Sequence, residues 1–420
     1  MRHLVHHDLQ SLFIILDRFR WVYCQLDTLR RCMPSSIRKA LNELPISLDD
    51  TYERMLQGIP NEKFEHASRL FQCMVAAIRP LRVEELAELF AIEFSAENLP
   101  NLVPGWRPEN PEEAVLSTCS TFITIVDGRD SKIVQFSHFS VKEFLTSDRL
   151  QLSNVGNIRH YHIPLEPAHA ILARACVTIL LQVDEKQDEE GFGALPLGSY
   201  AIDHWARHAT FGDVASQIEE SLAYLFDPKM PHFNPRRLLR CLQGMHEVYP
   251  NQHSFSFGDL DRVTPLFLAA FCGFSGLVKH LIITHVLDVN ADCGLLSSPL
   301  HGTSENGQVD SARILLDNGA DVNARCYNDC TPLHLSSYHG YLKVTRLLLE
   351  QGARLDPRAA NEHTPLCMAS DKGHLEVVRL LLDHGADVNV RGFDSSTPYQ
   401  LATQRGHDDV ARLLSGHGAE

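Results

Sequence analysis

Paired cysteines, long apolar runs and clustered positive charge are all missing from this 420-residue chain. Its eleven cysteines are odd in number and scattered, with no CxxC, a pattern of reduced thiols in an intracellular protein rather than a disulfide framework. The longest apolar stretches are Leu12 to Leu16 and Ala168 to Val183, the second broken by His169, Arg174 and Gln182. A bilayer span needs about 20 apolar residues in a row, so no membrane segment is expected. The start, MRHLVHHDLQ, lacks a basic region followed by an apolar core, and the expected location is cytoplasmic. Basic residues number 38 against 53 acidic ones, a net charge of −15. The deficit is spread evenly on either side of residue 258, so no basic arm is hidden in the average. Nucleic acid is therefore not an expected partner, because phosphate contact needs clustered positive charge.

Catalytic signatures are missing as well. None of the nine lysines follows a glycine, which makes the phosphate-binding GxxxxGK[ST] impossible, and GxSxG, HExxH and an EF-hand loop do not occur. Leu12 to Asp17 has the look of a strand ending in a magnesium-holding acid, but with no phosphate loop it reads as an ordinary buried segment. GFGALPLG at 191 to 198 has the wrong glycine spacing for a dinucleotide site. Cys326 and Cys330 have no second pair with which to hold zinc, and His3, His6 and His7 suggest only adventitious metal binding. The expectation is a protein that is not an enzyme and needs no cofactor or metal.

With 44% hydrophobic and 22% charged residues, the chain is globular in composition and long enough for two or three cores. Its clearest feature is a repeat. Thr264-Pro265-Leu266, Ser298-Pro299-Leu300, Thr331-Pro332-Leu333, Thr364-Pro365-Leu366 and Thr397-Pro398-Tyr399 start 34, 33, 33 and 33 residues apart. Each has a glycine nine residues after its first residue: Gly273, Gly307, Gly340, Gly373 and Gly406. In the third copy Thr331 can cap a helix while Pro332 takes the first helical position, where its missing N–H costs nothing. Val344, Leu347 and Leu348 then make one apolar face on a second helix, and Gly352 supplies the positive φ that stops it. Such a copy has no core of its own, so stacked neighbours must bury its faces.

These residues resemble ankyrin repeats, above all in TPLHLSSYHGYLKVTRLLLEQGARLD from Thr331 and TPLCMASDKGHLEVVRLLLDHGADVN from Thr364. Phe267 and Cys367 depart from the TPLH histidine, and the last copy reads TPYQ, an atypical edge. The resemblance implies that His301, His334, His374 and His407 are structural, bonding between turns. It also implies a protein-binding concave face of hairpin tips and exposed inner-helix positions: Arg325, Tyr327, Asn328, Tyr338, His339, Arg358, Asn361, His363, Asp371, Lys372, Arg391, Phe393, Gln404 and Arg405. A plain solvated surface is the blander reading of the same positions.

Before residue 258 helix signals dominate. SLDDTYERML puts Tyr52, Met55 and Leu56 on one face, EKFEHASRLFQCMVAAI continues the period, and VEELAELFAIEF restarts it after Arg79-Pro80-Leu81. STFITIV and SKIVQF then alternate as strands around Asp127-Gly128-Arg129-Asp130, with SVKEFL helical beyond. Helices followed by a β-hairpin wing make a winged-helix layout. Its candidate recognition helix carries Glu84, Glu85, Glu88 and Glu93 and no cation after Arg82, which argues against DNA. AHAILARACVTILLQV and YAIDHWARHA are further helices, with Trp205 on an apolar side, placed to cover the open edge of the first repeat.

LPISLDDTYERML, RPLRVEELAELFAIEF and VQFSHFSVKEFLTSDRL resemble the winged-helix region that follows the NACHT module in fungal STAND-type signalling proteins, and FRWVYCQLDTLRRC is similar to the last NACHT helix. Residues 1 to 18 carry no part of this resemblance. It implies that the chain corresponds to the carboxy-terminal part of such a protein, and that His138 stands where the family's winged-helix histidine reaches the nucleotide β-phosphate. A packed histidine at a strand-to-helix junction is the other reading of His138. The expected architecture is mostly α: a NACHT remnant at 1–33, a winged helix at 34–150, a helical bridge at 151–257 and a solenoid of five ankyrin repeats with short β-hairpin turns at 258–420. Two functions fit it. One is an interaction scaffold binding a protein partner, with a regulatory winged helix; the other is the sensor and lock portion of an ATP-dependent switch whose nucleotide site lies on another segment.

Overall fold

The computed structural model describes residues 47–94, 99–119, 121–128, 131–152, 158–182, 195–230, 238, 262–294, 297–326, 328–392 and 395–419. Expectations for residues 1–33, Tyr327 and Phe393 lie outside them. The chain divides into two compact units, one of residues 1–179 and 191–201, the other of 180–190 and 202–420.

The described part of the first unit begins with α1 (Leu48–Gln57), capped by the Ser47 hydroxyl, which accepts from the Asp50 N–H at 3.1 Å. α2 (Phe64–Ala76) and α3 (Val83–Ala87) follow. VEELAELFAIEF does not form one helix. After α3 it tightens into a 3₁₀ turn at Glu88–Ala91 and becomes the short strand β1 (Ile92–Glu93), antiparallel to β2 (Asn101–Leu102). α4 (Pro111–Cys119) leads into the wing, where β3 (Ile123–Asp127) pairs antiparallel with β4 (Lys132–Phe136), with Ile125 opposite Val134. α5 (Phe139–Leu145), α6 (Asp148–Leu152) and α7 (Leu165–Leu180) complete this part. Tyr52 and Leu56 of the apolar stripe are buried, and the Tyr52 ring lies 5.2 Å from Phe144 and 6.0 Å from Phe122. Burying aromatic rings of this size is the main drive for the core.

Two of the four glutamates of the candidate recognition helix are buried, Glu85 at 0% and Glu88 at 2% exposure. Arg79 clasps Glu85 through both guanidinium nitrogens at 2.6 and 2.8 Å, and Arg107 does the same to Glu88, with its shortest contact at 2.6 Å. Glu85 also accepts from the Arg82 N–H at 2.8 Å, satisfying a free donor at the start of α3. Charges with no water around them survive only when paired in this way.

In the second unit, the part of α8 (Gly198–Ala209) from Ile202 onward brings Trp205, and α9 (Val214–Gln217) and α10 (Glu219–Leu225) follow. Trp205, Phe226 and Phe274 form a triangle of rings 6.1 to 6.3 Å apart, so this segment covers the turn of the first repeat. Five helix pairs come next: α11 (Pro265–Cys272) with α12 (Ser275–His285), α13 (Pro299–Asn306) with α14 (Val309–Asp317), α15 (Pro332–Tyr338) with α16 (Leu342–Glu350), α17 (Pro365–Lys372) with α18 (Leu375–Asp383), and α19 (Pro398–Arg405) with α20 (Asp408–Gly416). Proline stands at the start of every inner helix. Val344, Leu347 and Leu348 are buried as their spacing predicts.

Candidate functional site: the inner-helix ladder and hairpin tips

The repeat histidines act between turns. In α15 the Thr331 N–H donates to His334 Nδ1 at 3.0 Å, which leaves the ring proton on Nε2, facing the His363 carbonyl at 3.1 Å in the next hairpin. His301 repeats the arrangement with Ser298 and with the Cys330 carbonyl at 3.2 Å. His374 Nε2 lies 2.9 Å from the Tyr338 carbonyl and His407 Nε2 3.1 Å from that of Asp371. Burial pushes both His301 and His334 down to about 4, so they are neutral at pH 7. Where cysteine or glutamine replaces the histidine the cap persists in another form. Cys367 N–H donates to the Thr364 hydroxyl at 3.4 Å, and Gln400 Oε1 accepts from the Thr397 N–H at 3.1 Å.

The carboxy-terminal ends of the inner helices carry a second regular pattern. His339 reaches back to Glu305 at 3.1 Å, Lys372 sits 4.7 Å above the Tyr338 ring, and Arg405 Nε bonds Asp371 at 2.8 Å. Every step spans 34 residues: a nitrogenous side chain at the end of one inner helix rests on the preceding repeat's side chain one position earlier. Burial works against ionisation of Asp371, but the hydrogen bonds and charges of Arg405 and Lys372 outweigh it and hold the carboxyl below its ordinary value. Tyr338 stays 40% exposed despite its contacts, and Lys372, Gln404 and Arg405 are exposed. Glu305 stands out only when the repeats are stacked in register, because it occupies the position of Tyr338 in the preceding copy.

The hairpin tips tell a different story. Arg325 donates to the Arg358 carbonyl at 3.0 Å, and Arg358 in turn to the Arg391 carbonyl at 3.0 Å. Arg325 lies 3.6 Å from Asp329 and Arg358 3.0 Å from Glu362. These arginines are exposed, yet part of their donor capacity is spent on tying hairpins together. Asn361 accepts from the His363 N–H at 3.2 Å, so it orders its own turn. Asn328 and Arg391 are exposed at the same edge.

His138 lies in the other unit. Its Nδ1 accepts from the Ser140 N–H at 3.3 Å and sits 2.6 Å from the Ser140 hydroxyl, which is itself 3.0 Å from the buried Tyr52 hydroxyl. It is the amino-terminal cap of α5, at the strand-to-helix junction. Among the described residues no group of three or more His, Cys, Asp or Glu could hold a metal, and no helix is long and apolar enough to cross a membrane.

An array of helix pairs joined by hairpins, preceded by helices and a two-stranded wing, defines a mostly helical protein of ankyrin repeats and a winged-helix domain. Residues 239–326 and 266–359 match the family described as Ankyrin repeats (3 copies), and residues 348–402 match Ankyrin repeats (many copies). Residues 52–155 match GPI inositol-deacylase, winged helix domain. The chain is similar to the Azaphilone pigments biosynthesis cluster protein L of Monascus ruber, 28% identical over 294 residues, which cover 67% of this chain and 61% of that protein. It thus spans less than two thirds of that relative's length. Ankyrin repeats carry a protein-interaction role.

Proposed function

We propose that this chain is a non-enzymatic, cytoplasmic interaction protein that captures a protein partner on the concave face of its ankyrin array, with the winged helix serving as a regulatory packing domain rather than a nucleic-acid reader. The observation that carries this reading is the 34-residue ladder. Tyr338, Lys372 and Arg405 are exposed, yet each is held by a neighbour, so little rotamer freedom is lost when a partner docks. Tyrosine and arginine are also the types that dominate interface energies, combining apolar area with hydrogen bonding. Arg325, Asn328, Arg358, Asn361, His363 and Arg391 form the adjoining edge, and His339, Asp371 and Gln404 fill the rows between.

The test begins with a partner identified by affinity capture on the wild-type chain. Tyr338→Ala, Lys372→Ala and Arg405→Ala together abolish capture of that partner and leave the thermal transition nearly in place. Undiminished capture refutes the surface assignment. Nucleotide binding provides the second arm. Under this reading ATP and ADP have no measurable affinity, whereas tight binding lost in His138→Ala replaces the reading with the sensor and lock portion of an ATP-dependent switch.

A further inference from the structure

Eight cysteines fall among the described residues, and six of them are buried: Cys73, Cys119, Cys176, Cys272, Cys293 and Cys367. The two that solvent reaches, Cys326 and Cys330, flank one hairpin turn. The Asp329 N–H donates to the Cys326 carbonyl at 2.9 Å and the Cys326 N–H to the Cys330 carbonyl at 2.9 Å, with Asp329 left-handed at φ 54. The Cys326 N–H bond to the Cys330 carbonyl holds the two residues side by side across the turn, within reach of a disulfide, whose Cα atoms stand roughly 4.4–6.8 Å apart. Hydrogen bonds to a sulfur favour its thiolate.

We propose that Cys326 and Cys330 are a peroxide-oxidisable dithiol, with Cys326 the attacking sulfur and Cys330 the resolving one. The Cys330 thiol's hydrogen bond, aided by the Asn328 and Cys330 N–H groups and Ser297, outweighs burial and holds the Cys326 thiol below its ordinary value, while Cys330 is pushed up by the same bond. Cys73, Cys119 and Cys293 move the other way, the first two to about 12, because burial penalises their thiolates. In the first step the Cys326 thiolate attacks one oxygen of a hydroperoxide. The O–O bond breaks, Cys326 becomes a sulfenic acid, and the other oxygen leaves as hydroxide or alkoxide. In the second, the Cys330 sulfur attacks the sulfenic sulfur, and its thiol proton leaves with the hydroxyl as water. Two thiols lose two electrons, the peroxide gains them, and a dithiol reductant reverses the change. The disulfide closes the turn whose Cys330 carbonyl lies 3.2 Å from His301 Nε2, so oxidation acts at the junction of two repeats.

The test treats the full chain with hydrogen peroxide, alkylates free thiols in denaturant, then reduces and labels what had been oxidised, reading each cysteine by peptide mass spectrometry. Cys326 and Cys330 are expected to carry the second label at least about tenfold above the six buried cysteines, and dithiothreitol to remove it. In Cys330→Ser, Cys326 accumulates a dimedone-reactive sulfenic acid; in Cys326→Ala, Cys330 stays reduced. Both replacements already occur at the matching hairpin positions, serine at 297 and 396 and alanine at 359, and an unchanged circular dichroism transition verifies the fold. Even labelling of all cysteines, or Cys330→Ser leaving Cys326 no more reactive than Cys293, overturns the proposal.

Discussion

His334 Nε2 lies 3.1 Å from the carbonyl oxygen of His363, 29 residues further on, while Nδ1 of the same ring accepts the Thr331 N–H. One imidazole thus caps its own helix and fastens the next hairpin. In His334→Ala both backbone groups lose a partner at a site shut off from water, at a cost of about 2–3 kcal/mol. Hydrogen exchange of the full chain would register this as lost protection in α15 and the hairpin around His363. His334→Gln keeps the cap, as Gln400 does in the last repeat, and loses less.

The same histidines make the array acid-sensitive. His301 and His334 are held at about 4 by burial, against 6.5 for an ordinary imidazole. The unfolded chain therefore binds more protons than the folded one between those values. Stability is complete above about pH 6.5 and falls as the pH drops from there toward 4, by up to about 3 kcal/mol for each ring. Urea midpoints at pH 7.5, 6 and 5 should fall in that order, and His334→Gln should flatten the decline because one titrating group is gone. An equal slope in that variant would assign the decline to the carboxylates.

In the winged-helix unit the sensitive pair is Arg79 with Glu85, joined by two bonds of 2.6 and 2.8 Å. Arg79→Ala leaves a fully buried carboxylate with only the Arg82 guanidinium, 3.9 Å away, and costs about 3 kcal/mol. Adding Glu85→Gln removes the charge and should recover at least half of that loss, since the amide oxygen can still accept the Arg82 N–H. Chemical denaturation of both variants measures it, and a double variant no more stable than the single one would place the loss in the arginine's packing on the Tyr200 ring, 4.9 Å away.

Much of this fold is legible in the chain because its signals are local. The Thr-Pro register, the Val344, Leu347 and Leu348 stripe and the alternation on either side of Asp127-Gly128 each depend on residues within one or two turns of each other. The burial of Glu85 and Glu88 is not legible in the sequence, because it depends on partners elsewhere. Arg79 comes six residues before Glu85 and Arg107 nineteen after Glu88, and only the folded loops bring them together. Charge alone cannot tell a solvated glutamate from a paired one. Among the candidate site residues, Lys372 and Arg405 were legible as exposed positions, but their contacts at an interval of 34, one more than the repeat, emerge only from the stacking. Arg325 and Arg358 show the converse, surface cations whose donors also serve the backbone.

Gly340 and Gly352 separate two costs that a substituted glycine can carry. Both are left-handed, at φ 74 and 85, so alanine at either is strained by about 1–2 kcal/mol. Around Gly352 a methyl group would meet nothing within 4 Å, whereas at Gly340 it would stand 2.5 Å from His374 Nδ1. The imidazole cannot withdraw freely, because its Nε2 bonds the Tyr338 carbonyl at the end of α15. Gly340→Ala should therefore be less stable than Gly352→Ala by a further ~1 kcal/mol, roughly one hydrogen bond. The excess should vanish when His374→Ala is added, since no ring is left to collide. Urea denaturation of the three variants decides it: equal losses for the two glycines would mean that His374 turns aside without cost.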